Sequence, residues 1–258
     1  MTARAMWKGI IRFGAVRVPV KLYSAIEDQD VHFRLLHRQD RTPVRQVMVN
    51  PETDRVVAFA DTRRGYLTRT GDVVMLDEDD REALQPQAGR DIEVLDFLPP
   101  SAIDHRWYAR PYYLGPDDAN DDYFALITAL EESDRVGLAR WVMRKREYVG
   151  ALRLHQGYPM LVALRHAEEV VPLDTLEPPD GPRLDRKELS MARQLISMLE
   201  APFEPQSYHD EQRARILDLI ETKRRGGRVK IVPMRRTQAS TNVSEALQAS
   251  LEQERRHA

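Results

Sequence analysis

Two short segments near the start of the chain, Met6–Phe13 and Val16–Tyr23, alternate apolar and polar residues with period two. Gly14-Ala15 separates them, and a two-residue connection that begins with glycine is typical of a β-hairpin. This turn fixes a register with three apolar pairs on one face: Trp7 with Leu22, Ile11 with Val18 and Phe13 with Val16. The chain is therefore expected to begin as an antiparallel strand pair with one buried face.

The opposite face of this hairpin pairs like charges, because the same register sets Lys8 against Lys21 and Arg12 against Arg17. Like charges directly across a strand pair are unfavourable by up to about 1 kcal/mol per pair. A polyanion lying over this face would relieve the repulsion. Alternatively, the four side chains diverge into solvent. Pro19 lacks a backbone N–H and predicts that the second strand lies at a sheet edge or carries a bulge.

Further strands are predicted where β-branched and apolar residues cluster between turn residues. They are Val31–Leu36, Val44–Val49 and Val73–Leu76, followed by a meander of Val136–Met143, Tyr148–Leu154 and Met160–Arg165. Asp77–Glu82 indicates a short helix or loop. Asp121-Asp122 are expected to cap a helix over Tyr123–Glu132, in which Phe124, Ile127 and Leu130 recur at helical spacing.

The last third of the chain changes from strand to helix patterns. Leu176–Arg183 is rich in proline and predicts a linker. Asp185 and Glu188 form a capping-box pattern that opens a helix with an apolar side: Leu189, Ala192, Leu195, Ile196 and Leu199. A second helix is expected from about His209 to Arg225, with Ile216, Leu217 and Ile220 inward and Gly226-Gly227 ending it. Lys223-Arg224-Arg225 in its last turn suit the helix dipole, whether or not they bind anything else.

The C-terminal residues predict a tail that carries one more helix. Arg228–Arg236 and the polar stretch Thr237–Thr241 lead to Asn242 and Glu245, which could cap it. Val243, Leu247 and Leu251 form a narrow apolar stripe with no obvious place in the core. We expect this stripe to bind a partner protein, while a frayed tail or docking within the same chain stay open as alternatives.

Charge along the chain is segregated, although the net charge is only −2. Residues 1–69, 135–165 and 223–258 each carry an excess of six cations, whereas 70–134 and 166–222 carry excesses of thirteen and seven anions. Local fields attract phosphates more than totals do, so a basic surface for DNA is compatible with this composition. The oppositely charged blocks could equally face one another.

Patterns that signal chemistry are missing from the sequence. It contains no phosphate loop, no dinucleotide fingerprint, no H-E-x-x-H and no serine nucleophile elbow. It also has no cysteine, which excludes thiolate zinc sites and fits a reducing compartment. His32 and His37 would fall on opposite faces of one strand, and the acidic runs Asp77–Asp80 and Asp117–Asp122 lie where aspartate is favoured in turns and helix starts. We therefore expect no catalytic residue, metal or cofactor.

The sequence closely resembles bacterial Ku. The resemblance lies first in the N-terminal run Arg4–Gly14 and in Val18–Ala25. It continues through Phe33, Leu36-His37, Arg64-Gly65-Tyr66, Tyr112-Tyr113-Leu114, Val142–Ala151, Met191-Ala192, Tyr208, Asp210-Glu211, Leu219-Ile220 and the ending Glu245–Glu252. It thus covers essentially the whole chain. Asn50-Pro51-Glu52-Thr53 replace a cysteine pair that some family members carry, so no metal is expected at that turn.

This resemblance implies an α+β fold: a mainly antiparallel β-barrel core with bridging hairpins, followed by a helical C-terminal arm. The expected divisions are residues 1–180 for the barrel and bridge, 181–232 for the arm and 233–258 for a flexible tail. It further implies a ring-shaped homodimer that threads onto linear double-stranded DNA, protects the end and recruits the ATP-dependent DNA ligase of non-homologous end joining. We expect such a protein in the cytoplasm, associated with the nucleoid. The short tail lacks a long lysine-rich extension.

Nine basic residues are our candidates for phosphate contacts, chosen from charge and strand pairing. They are Lys8, Arg12, Arg17, Lys21, Arg63, Arg64, Arg144, Lys145 and Arg146. Such contacts fix position without reading sequence. Two other classes of function stay open, namely a metal-dependent nuclease that uses Asp77 and Asp79, and a scaffold that binds only protein.

Overall fold

The computed structural model describes residues 4–118, 120–178, 181, 185–226 and 243–257. Its contacts separate two compact units, Met1–Gln29 with Arg34–Thr175 and Asp30–Phe33 with Leu176–Ala258. The main part of the second unit begins at Leu176, the first residue of the proline-rich segment. The two units are described in turn.

Eleven strands lie in the described part of the first unit. They are β1 (Trp7–Phe13), β2 (Val16–Ser24), β3 (Met48–Val49), β4 (Val56–Val57), β5 (Arg64–Leu67), β6 (Val73–Leu76), β7 (Asp91–Leu98), β8 (Tyr108–Pro116), β9 (Val136–Met143), β10 (Arg146–His155) and β11 (Tyr158–Leu164). Seven of them close a barrel in the order β1-β2-β8-β11-β10-β9-β7. Neighbouring strands are antiparallel except β7 and β1, which pair in parallel and close the barrel. The expected barrel is present, but it is mixed.

The N-terminal hairpin has the register predicted from its turn. Trp7 pairs with Leu22 and Ile11 with Val18, and Gly14 adopts the left-handed conformation that the turn requires. The expectation that Pro19 marks an edge or a bulge is wrong, because β2 lies between β1 and β8. Pairing with β8 runs from Val20, opposite Pro116, so the missing N–H of Pro19 costs that ladder no hydrogen bond.

The barrel interior forms the core. Its largest fully buried side chains are Ile11, Leu22, Ile92, Leu114, Trp141, Leu152 and Leu161. The helix α2 (Asn120–Ser133), which follows α1 (Glu78–Ala83), joins β8 to β9 and adds Tyr123, Leu126 and Leu130 to this core. It therefore covers the end of the barrel at which β8 ends and β9 begins. The helix was predicted, but Phe124 on the expected apolar side is exposed.

Residues between β2 and β7 do not join the barrel. They form the two-stranded sheets β3–β4 and β5–β6 and the helix α1. β6 has the predicted bounds, whereas Val44–Val49 is a strand only at Met48–Val49. Val31–Leu36 is not a strand and makes one isolated bridge, from Leu36 to Pro43. Apolar composition favoured strands here, but most of this segment finds no neighbouring strand in its own chain.

The second unit is helical, with α3 (Arg186–Met198), α4 (Glu211–Arg224) and α5 (Val243–His257). The predicted capping box opens α3, because the backbone N–H of Glu188 donates to Asp185 at 2.7 Å and the Glu188 carboxylate accepts from the backbone N–H of Asp185 at 3.0 Å. Leu217 and Ile220 of α4 are exposed, which corrects the expectation that they point inward. Gly226 is left-handed at the end of α4, as its position predicted.

Several predicted features lie outside the described residues: Gly227, Arg228–Arg236, Thr237–Thr241 and Asn242, together with the side chain of Glu245. Within the described residues, no helix has the length and apolar character needed to cross a bilayer.

Candidate nucleic-acid interface

Lys8 and Lys21 face each other across β1 and β2 on the outside of the barrel, as predicted. Their ammonium nitrogens both reach one oxygen of Asp117, at 2.8 and 2.9 Å. Hydrogen bonds from Lys8 and Lys21 lower the pKa of Asp117, and the bond to Asp117 raises the pKa of Lys21. The chain itself therefore supplies an anion between the two lysines, so a stable fold does not require a bound polyanion at this pair.

Arg12 begins a row of alternating charges that crosses four strands. Its guanidinium lies 3.1 Å from Asp91 and 4.0 Å from Glu93 of β7. Glu93 in turn lies 3.2 Å from Arg140 of β9, and Arg140 lies 3.8 Å from Glu147 of β10. These exposed pairs partly neutralise the predicted basic face around Arg12.

Arg17 lies near the turn of the hairpin, one residue beyond the pair Phe13–Val16 that closes it. It pairs with Arg12 across the strands and is exposed. Within the described part of the chain no carboxylate lies within 4 Å of its guanidinium. Of the four hairpin cations it is the one whose charge is least offset.

Arg144 and Lys145 form the two-residue turn between β9 and β10, since Met143 pairs with Arg146. Both turn residues have left-handed backbones, with φ of 51° and 63°. Residues other than glycine, asparagine and aspartate adopt this conformation at a cost. The chain thus holds two exposed cations in a strained turn, beside an exposed Arg146.

Arg63 and Arg64 lie next to acidic groups. The Nη1 atom of Arg63 donates to the carbonyls of Ala60 and Thr62, each at 3.0 Å. Both arginines line a cavity of about 610 Å³ that also contains Arg81 and three carboxylates: Asp77, Glu78 and Asp79. The positive field at this pair is therefore weaker than the sequence suggested.

A cavity of about 970 Å³ opens at the end of the barrel opposite α2, where β8 and β10 begin and β9 and β11 end. We call it the barrel mouth. Its cationic lining comprises Arg110, Lys145, Arg146 and Arg165. Sequence reasoning had selected Lys145 and Arg146 but missed Arg110 and Arg165, whose isolated positions on β8 and after β11 gave no local signal.

Asp77 and Asn50, at two turns considered for a metal, both shape the local backbone. Asp77 accepts from the backbone N–H of Asp80 at 2.8 Å and caps α1. Asn50 Oδ1 accepts from the backbone N–H of Glu52 at 2.9 Å and shapes the turn between β3 and β4. Among the residues described, no group of three or more His, Asp and Glu side chains could hold a metal ion.

The apolar stripe near the C-terminus lies on α5, which packs against α3. Leu251 is buried and Leu247 is half-buried, whereas Val243 is 56% exposed. Docking within the chain, which the sequence left open, thus covers much of the stripe. Only its first residue is freely available on the helix as it stands.

Comparison with known proteins decides the family. The model of the Ku70/Ku80 beta-barrel domain matches residues 12–191, from within β1 to within α3. The chain belongs to the Ku family. The matched range contains six complete barrel strands and the end of β1, so this family match and the observed fold agree.

Bacterial Ku proteins are similar to this Ku chain over nearly its whole length. Non-homologous end joining protein Ku 2 of Geotalea uraniireducens is 34% identical and covers 97% of this chain and 98% of its own. The corresponding protein of Heliobacterium modesticaldum is also 34% identical, over 98% of this chain and 93% of its own. That of Mycobacterium tuberculosis is 35% identical over 87% and 84%.

Proposed function

We propose that this protein binds the ends of double-stranded DNA without reading their sequence, protecting them for non-homologous end joining. The observation that carries the proposal is its similarity over nearly the full chain to bacterial proteins named for that process. The barrel surface is compatible with it, because Arg17 and the turn at Arg144-Lys145 display cations to solvent. Phosphate contacts of this kind position DNA without base specificity.

We also propose that the active species is a ring-shaped homodimer. Support comes from the segment between β2 and β7, which exposes many large apolar side chains: Leu35, Leu36, Val56, Phe59, Tyr66, Leu67, Val73 and Met75. Many large apolar side chains exposed to water within one segment favour an interface there. A second copy of the same segment would cover it, and a symmetric dimer is the commonest way to do so.

The decisive experiment compares a linear duplex with a covalently closed circle of the same sequence and length. A ring that loads from a free end binds the linear form and leaves the closed circle unbound. Affinity for the linear form should fall steeply with salt, with log K decreasing by about 0.9 for each phosphate neutralised. Equal affinity for the two forms would exclude loading from ends, and no binding at low salt would favour a scaffold that contacts only proteins.

The phosphate contacts of the nine basic candidates stay predictions. Substitution of Lys8 and Lys21 tests whether the hairpin contacts DNA. Substituting both with Ala should weaken binding of the linear duplex while leaving the barrel folded. Circular dichroism and thermal unfolding would verify the fold. Unchanged affinity would remove the hairpin from the interface.

For the ligase contact we propose the stripe on α5. Val243 is exposed in α5, whereas Leu247 is half-buried and Leu251 is buried in this helix, which packs against α3. Val243→Asp should therefore reduce capture of the end-joining ligase without altering DNA binding. The matched change Gln248→Asp, at an exposed position of the same helix, should have no effect. If both variants capture ligase like the unmodified chain, the contact lies elsewhere.

A further inference from the structure

The barrel mouth is open although the opposite end of the barrel is covered. Tyr123, Leu126 and Leu130 of α2 join the core at the covered end. At the barrel mouth, the interior of the barrel opens instead into a cavity of about 970 Å³. Mouths of β-barrels are frequent ligand sites, and this volume lies at the upper end of the usual range of about 300–1,000 Å³.

Charge in the lining of the barrel mouth is positive overall, because four cations outnumber two carboxylates. Arg110, Lys145 and Arg146 line it, and no carboxylate of the described residues lies within 4 Å of their charged groups. The two carboxylates in the lining, Glu147 and Glu169, keep their charges but form no ion pair with these three cations. Glu147 lies 3.8 Å from Arg140, and Glu169 accepts from the backbone N–H of His166 at 2.8 Å. The mouth therefore presents unpaired cations to an anionic ligand.

Arg165 adds a cation that the fold holds in place. Its Nη1 atom donates to the backbone carbonyls of Arg106 and Tyr108, neither of which neutralises its charge. The guanidinium thus keeps its charge beside the lining without depending on an acidic partner.

Aromatic rings form the inner part of the same cavity. Tyr112 is buried in the lining, and Tyr148 is half-buried. One face of Tyr148 stacks on Trp141, with ring centroids 5.3 Å apart and an interplanar angle of 14°. Tyr148 also lines the barrel mouth, where its half-buried ring can meet a planar group.

From this combination we propose that the barrel mouth binds a nucleotide, with the base on Tyr148 and the phosphate among Arg110, Lys145 and Arg146. Base stacking on aromatic rings beside phosphate-binding cations is how proteins hold single-stranded nucleic acid. The nucleotide could come from the unpaired end of a DNA strand or from a free nucleotide. If the nucleotide is the unpaired end of a DNA strand, the inference rests on the proposed function. The barrel mouth would then bind overhangs, in addition to the surface that binds the duplex.

The test measures binding of a fluorescent, 5′-phosphorylated thymidine pentanucleotide by anisotropy, and binding of adenosine monophosphate by calorimetry. Tyr148→Leu and Arg110→Ala should each weaken pentanucleotide binding about fivefold or more, and Tyr148→Phe should retain it. Arg135→Ala, which removes one exposed cation at the covered end of the barrel, should leave binding unchanged. Binding of the pentanucleotide alone assigns the site to strand ends, whereas binding of both ligands extends it to free nucleotides.

Blunt-ended duplex binding, measured with the same proteins, separates this inference from the proposed function. The inference fails if the unmodified protein binds neither single-stranded probe nor monophosphate, or if Tyr148→Leu binds the pentanucleotide as well as Tyr148→Phe does. Retained binding of the blunt duplex in that case leaves the proposed function intact. Loss of duplex binding by the unmodified protein would instead refute the proposed function.

Discussion

The ammonium nitrogen of Lys21 lies 2.9 Å from a carboxylate oxygen of Asp117, and Lys8 shares that oxygen from the neighbouring strand. Asp117 follows the last residue of β8 and is only 16% exposed as a side chain. This carboxylate occupies the position in which a DNA phosphate would meet the two lysines. It stabilises their close approach and, if DNA binds here, competes with it.

Asp117→Asn should therefore strengthen binding of linear duplex several-fold, because it frees two cations for phosphate. Competition binding at low salt would measure the change. Asp118→Asn provides the control, because it removes the same charge from the adjacent, exposed side chain, which forms no ion pair among the described residues and acts on Lys21 only at longer range. It should change binding less than Asp117→Asn does. If Asp117→Asn weakens binding or has no effect, Lys8 and Lys21 do not contact DNA.

Acid should weaken the contact of Asp117 with Lys8 and Lys21 and so lower the stability of the fold. Since hydrogen bonds from Lys8 and Lys21 hold the pKa of Asp117 below its usual 3.8, folding favours the ionised carboxylate. Its stabilisation is complete above about pH 4 and is lost as pH falls through the lowered pKa. Urea unfolding between pH 5 and about pH 2 should show a smaller loss for Asp117→Asn than for the unmodified chain. Parallel curves of unfolding free energy against pH for the two proteins would contradict this.

Tyr123 fastens α2 to the barrel, because its hydroxyl donates to the backbone carbonyl of Leu114 at 2.6 Å in a buried position. Burial also raises the pKa of Tyr123. Tyr123→Phe leaves that carbonyl without its donor and should lower the free energy of unfolding by about 1–3 kcal/mol. Tyr66→Phe, at an exposed ring, should change it little. Guanidinium unfolding of both variants would measure the difference. Equal unfolding midpoints for Tyr123→Phe and Tyr66→Phe would show that the hydrogen bond of Tyr123 does not stabilise α2 on the barrel.

The parts of the fold that the sequence predicted are those whose partners are close in the chain. The hairpin β1–β2 and the meander β9–β10–β11 pair neighbouring strands across short turns, so periodicity and turn residues determine them. β7 and β8 were not predicted. Their partners are distant in sequence: β7 pairs in parallel with β1, and β8 pairs with β2 and β11.

The same reason explains why the sequence predicted only part of the candidate site. Charge and pairing located Lys8 and Lys21, but the anion that binds them is 109 residues from Lys8. The barrel mouth was missed because Arg110 and Tyr148 lie on different strands and meet only when the barrel closes. Local patterns thus identified the cations, whereas tertiary structure decides which of them are already neutralised.

The turn at Arg144-Lys145 offers a direct comparison with a second turn of the same barrel. Gln156-Gly157 connects β10 to β11 with the same two-residue geometry and left-handed backbones, at φ of 51° and 75°. Left-handed backbone costs a residue with a side chain about 1–2 kcal/mol relative to glycine. A turn of Arg and Lys is therefore the less stable choice, and function is the simplest reason to retain it.

Arg144→Gln combined with Lys145→Gly should raise the free energy of unfolding by about 1 kcal/mol, since glycine relieves the strain at one of the two positions. The same variant should bind linear duplex more weakly, and the slope of log K against log salt should shrink by about 0.9 for each phosphate that the protein no longer neutralises. Urea unfolding and salt titrations of duplex binding measure the two effects. A protein that is more stable and binds DNA with unchanged affinity and slope would show that these cations do not face DNA.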